Sequence, residues 1–148
     1  MKRILALFLV CSLLACIAGC TGGNADDQFR SAWQSSENDL KAYGREMQEA
    51  MDPDNIDIKA ISDGSRTMIS TIDRHHDTIS SIQVSEKYQG VKTEYLSALS
   101  DLRMACVDLS KAEDAGSLGA LGHITASAGW LESSQQKRDR VTAIMNQG

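Results

Sequence analysis

Four segments of this chain carry apolar residues in alternating steps of four and three, a spacing that matches one face of an α-helix and little else. In the first, Phe29, Trp33, Ser36, Leu40, Tyr43, Met47 and Ala50 form a single stripe behind Asp26 and Asp27. Those two acids put negative charge where a helix N-terminus favours it. Gly44 lies off the stripe, at a helix cost of about 1 kcal/mol. Asp52, Pro53, Asp54 and Asn55 stop the segment, and Pro53 is the only proline in the chain. The second stripe is Ile58, Ile61, Ser65, Met68, Ile72, His75, Ile79 and Ile82, flanked by Ile69 and His76. Asp63, Gly64 and Ser65 mark a weak point, where the helix kinks or properly begins. Ser85 suits the N-cap of the third, whose stripe is Tyr88, Val91, Tyr95, Ala98, Leu102, Ala105, Leu109 and Ala112, widened by Leu99 and Cys106. It ends at Asp114, Ala115 and Gly116, and Ser117 is placed to cap the fourth. There Leu121, Ile124, Ala128, Leu131, Gln135, Arg138 and Met145 give a stripe that turns polar towards the C-terminus.

Segments of roughly 26–30 residues, about 40 Å each at 1.5 Å per residue, are joined by links of a few residues. Equal lengths and short links make successive helices antiparallel neighbours. No stretch alternates with period two long enough for a sheet. The expectation is an all-α, up-down-up-down antiparallel four-helix bundle over residues 26–148, with a pair of hairpins assembling as an oligomer as the alternative.

The N-terminus follows a different logic. Lys2 and Arg3 precede an uncharged, mostly apolar run of 16 residues (4–19). That is shorter than the roughly 20 residues a membrane-spanning helix needs, and it suits the apolar region of a signal peptide. The run closes with Ile17, Ala18, Gly19 and Cys20, which resembles the lipobox of prokaryotic membrane lipoproteins. The resemblance implies cleavage before Cys20 and a thioether-linked lipid on it. Residues 1–19 would then be a signal peptide and 20–25 a lipidated cysteine with a flexible tether. It also implies a lipid-anchored, extracytoplasmic protein on the periplasmic or external face of the cell membrane. It covers residues 1–20 alone, and supplies an address rather than an activity.

After cleavage 129 residues remain, long enough to bury about two-thirds of the unfolded surface without staples. No disulfide is available: Cys11 and Cys16 leave with the signal peptide, Cys20 is assigned to lipid, and Cys106 stands alone. The whole chain has a formal charge of −5; removing Lys2 and Arg3 leaves 13 basic against 20 acidic residues, or −7. Phosphates repel such a domain, which argues against nucleic-acid binding and leaves the lipid to hold the membrane.

Chemistry-bearing residues are sparse. His75 falls mid-stripe, so an imidazole enters the expected core; bundles can hold haem or metal there. Met47 or Met104 would be the facing haem ligand, and Asp73, His76 and Asp77 the metal version. No second Glu-x-x-His or Asp-x-x-His segment and no Cys-x-x-Cys-His accompany it, so the simpler reading is a core histidine bonded to Ser36, Tyr43 or Tyr95, with no cofactor. The acids around residues 52–57 imitate a calcium loop, but Ile56 and Asp57 stand where a ligand and a glycine are needed; they suit capping of the second helix. Cys106 has no base in any local motif and reads as a small core residue. The fourth segment offers one unusual side: Gly119, Gly122, Ala126, Gly129 and Ser133, with His123, Trp130 and Ile144 at its margin. Small residues admit another backbone and a tryptophan can anchor it, so this side is a candidate contact surface for a protein partner or a second copy. The competing reading packs that side within the bundle. With no phosphate loop and no catalytic constellation, the chain is expected to bind rather than catalyse, with a ligand-sensing or haem- or metal-carrying core around His75 as the alternative.

Overall fold

The computed structural model describes residues 25–52 and 54–147, with the side chain of Ser117 outside that description. The lipobox residues Ile17, Ala18, Gly19 and Cys20, and Pro53, lie outside the described residues. The described chain is all α: α1 (Ala25–Ala50), α2 (Ile58–Ser81), α3 (Glu86–Leu109), a 3₁₀ turn (Glu113–Ala115) and α4 (Gly116–Met145). It is an antiparallel four-helix bundle. No described helix is long and apolar enough to cross a membrane.

The first three stripes become the core. Every residue of the α1 stripe is buried, and so are all eight α3 positions with Leu99 and Cys106. α2 runs unbroken through Gly64, so the expected late start does not occur. The glycine serves packing instead: a Cβ there would stand 2.8 Å from Met47 Cε, so Gly64 leaves the room that Met47 fills. Asp57 caps α2, its side chain accepting from the Ala60 amide at 2.9 Å. Ser85 occupies the N-cap position of α3 but makes no side-chain cap. Its amide and hydroxyl donate to the two Asp26 oxygens at 2.8 and 2.7 Å, tying the start of α1 to the α2–α3 link. α3 ends at Leu109, earlier than the sequence suggests, and the 3₁₀ turn fills the gap. Ala115, not Ser117, is the N-cap residue of α4. Gly116 takes φ +66°, a value that side chains other than glycine rarely adopt.

α4 departs from its expected register. Its buried residues are Ala120, Ser127, Ser134, Val141 and Met145, while Leu121, Ala128 and Gln135 are exposed. Three stripe positions thus move back by one residue. The cause is the surface of α3 and the turn that follows it, where Ala98, Ala105 and Ala112 are fully buried at a spacing of seven. Ala120, Ser127 and Ser134 repeat at the same spacing, so two rows of small side chains let these helices pack closely. Ser134 Oγ donates to the Ala98 carbonyl at 2.8 Å across this seam. Close contact runs from α1 to α2, α2 to α3 and most extensively α3 to α4, whereas the backbones of α1 and α4 stay apart.

Candidate functional site

The α1–α4 seam is held shut over half its length. Near the α1 N-terminus, Arg30 donates to the Met145 carbonyl at 2.6 Å and to Tyr88 Oη at 2.8 Å. Two turns along, Arg138 makes a bidentate pair with Glu37, Nε to Oε1 at 2.9 Å and Nη2 to Oε2 at 2.8 Å. Tyr95 of α3 adds its hydroxyl to Glu37 Oε1 at 3.0 Å, so one carboxylate joins three helices. Burial works against the charge on Arg138, but the Glu37 hydrogen bonds outweigh it and its pKa is raised. Burial, with the Glu37 charge second, holds the Tyr95 phenol far above its ordinary range.

Beyond this clasp the seam opens into a cavity of about 630 Å³. Leu40, Tyr43, Met47, Leu102, Leu109 and Leu131 make its apolar walls. Gly44, Gln48 and Met51 of α1 and Glu132, Gln135 and Arg138 of α4 surround the mouth. Nothing stands within 4 Å of where a Gly44 Cβ would be, so this glycine leaves the wall open. Behind the wall lies a small polar cluster: Tyr43 Oη is 3.0 Å from Ser65 Oγ, and Cys106 Sγ donates to it at 3.5 Å. Burial pushes the Cys106 thiol up to about 11 and the Tyr43 phenol far above its usual range. A thiol so held is a poor nucleophile, and the cluster supports the wall rather than offering reactive groups to it.

The residues singled out by sequence fall elsewhere. His75 is buried, but its Nε2 meets Asp39 Oδ2 at 2.8 Å rather than Ser36, Tyr43 or Tyr95. Tyr43 and Tyr95 are engaged by Ser65 and Glu37 instead. The methionines proposed to face His75 do not: Met47 packs beside Gly64, about 16 Å along α2 from His75, and Met104 is 43 % exposed. Asp73 is taken by Arg103, Nε to Oδ1 at 2.7 Å. Among the described residues no three His, Cys, Asp or Glu side chains gather as a metal site. On α4, Gly122, Ala126, Gly129 and Trp130 are exposed, and Gly119 is half-buried against the Ala115 methyl. Ser133 and Lys137 bond Asp101 of α3 at 2.6 and 2.5 Å. That register brings Met104 level with Trp130.

Sequence reasoning placed Leu40, Tyr43 and Met47 in the core but missed that they enclose space. The available signal was Gly44, a glycine inside a helix whose cost needs a reason. The sequence matches no family model, and neither a curated protein nor a solved structure is detectably similar to it.

Proposed function

We propose that this protein is a lipoprotein anchored through Cys20 on the extracytoplasmic face of the membrane, where its helical bundle acts as a binding module. The observation that carries the binding role is the 630 Å³ cavity at the α1–α4 seam. Its volume falls in the range of roughly 300–1,000 Å³ typical of small-molecule sites, and its walls are apolar with polar groups at the mouth. A bundle whose only task was to be a spacer would have no need of a helical glycine, Gly44, in the wall of an open seam. The address rests on the positive start, apolar run and lipobox of residues 1–20. The exposed side of α4 is a second contact surface, for a protein partner or a second copy. It is favoured by Trp130, which is 40 % exposed beside Gly122, Ala126 and Gly129.

Intact mass of the protein from the membrane fraction tests the address. The expected species begins at Cys20 and carries added lipid mass, and Cys20→Ser removes both the cleavage and the lipid. An unlipidated, soluble wild type would overturn the anchored reading. For the α4 surface, Trp130→Ala is expected to weaken self-association or partner capture while leaving thermal stability near wild type.

A further inference from the structure

Resting on the reading of the α1–α4 cavity as a binding site, we infer that its ligand is an uncharged, elongated amphiphile the size of a single-chain lipid, such as a monoacylglycerol. The shape argument comes first. The α1 wall runs from Leu40 to Met51, about 17 Å along the helix at 1.5 Å per residue. One flexible acyl chain can lie along an apolar wall of that length without α1 and α4 moving apart. Met47 and Met51 suit such an occupant, because unbranched thioethers adapt to a chain of variable shape.

The charge argument selects the head group. Among the described residues Arg138 is the one cation lining the cavity, and both Nε and Nη2 are committed to Glu37. Its remaining Nη1 donates towards Gln135 at 3.4 Å. Glu132 adds a negative charge at the mouth, in a chain already at −5. A carboxylate or phosphate head would meet net repulsion, while the Gln48 amide can hydrogen-bond hydroxyls and esters equally well; Gln135 already donates to Asp139 and accepts from Arg138.

The test uses the full chain in phospholipid nanodiscs with a monoacylglycerol carrying a diazirine in its acyl chain. After photolysis and digestion, label is expected on peptides covering residues 40–51 and 131–138. Unlabelled monoacylglycerol should compete at least tenfold better than the fatty acid of the same chain length. Gly44→Leu puts a side chain into the open wall and replaces a poor helix former, so it should keep the fold and cut this labelling at least fivefold. Gly90→Leu, at an exposed α3 glycine with nothing within 4 Å, is the control and should label like wild type. Labelling unchanged by Gly44→Leu, or confined to exposed Leu118, Leu121 and Trp130, overturns the proposal. So does equal competition by the fatty acid, and so does labelling that appears only in Cys20→Ser, which would make the anchor the occupant. A lipidated mass with no cavity labelling would sink this ligand class while leaving the anchored binding module standing.

Discussion

Glu37 and Arg138 tie α1 to α4 by a bidentate ion pair where the two backbones are not in close contact. Their side chains are only 9 % and 14 % exposed, so removing one strands a buried charge. Arg138→Met is expected to cost about 3 kcal/mol, the low end for a broken buried pair because some solvent reaches the guanidinium. Glu37→Met with Arg138→Met should recover most of that loss, since two apolar chains leave nothing unpaired. Urea unfolding followed by circular dichroism separates the cases; equal losses in the single and double variants would refute the clasp. Cys106 gives a second residue-scale test. With its thiol near 11, about 10⁻³ of it is thiolate at pH 8, and the side chain is buried. Labelling by a disulfide reagent should therefore be more than a hundredfold slower in the native protein than in denaturant. Rapid native labelling would mean that the Tyr43 wall opens readily.

At the scale of elements, α4 separates what is legible in a sequence from what is not. α1, α2 and α3 bury Phe, Ile, Leu, Tyr and Met at helical spacing, and each such residue announces its face. α4 buries Ala120, Ser127 and Ser134, whose small size rather than their polarity earns them the position. A reading that follows hydrophobicity is drawn to Leu121 and Ala128, one residue away, which border the open side. Whether a seam opens depends on the fit between two helices far apart in sequence, so the cavity leaves only Gly44 as a trace. The same close seam predicts an asymmetry. Ser134→Leu forces a large side chain against Ala98 and loses the bond to its carbonyl, so it should destabilise by about 2–3 kcal/mol or more. Leu121→Ser, at a residue 54 % exposed, should stay within about 0.5 kcal/mol of wild type. Reversed magnitudes in thermal unfolding would restore the expected register and reject the observed one.

For the whole molecule, the carboxylates that fasten one helix to another set the response to acid. Asp26 is held below its ordinary range by the Ser85 amide and hydroxyl, and bridges the start of α1 to the α2–α3 link. Burial opposes the charge on Asp101, but hydrogen bonds from Lys137 and Ser133 outweigh it and the pKa is again lowered, across the α3–α4 seam. Asp63 is lowered by Lys59, with Arg66 adding to it, and Arg66 also reaches Glu113 and Asp114 of the 3₁₀ turn. Each folded-state value lies below the unfolded one, so the unfolded chain binds more protons as pH drops. The stability these groups contribute is fully present above their ordinary value of 3.8 and is lost as pH falls through the lower folded values. The melting temperature should therefore be level from pH 7 to about 5 and fall steeply below about 4. Asp26→Asn and Asp101→Asn should each lower it at neutral pH and flatten the acid limb. Asp101→Asn should have the larger effect, because solvent screens the exposed Asp26 contact more strongly. An acid limb unchanged in both variants would place the response in other groups, and with it the fastening of the bundle.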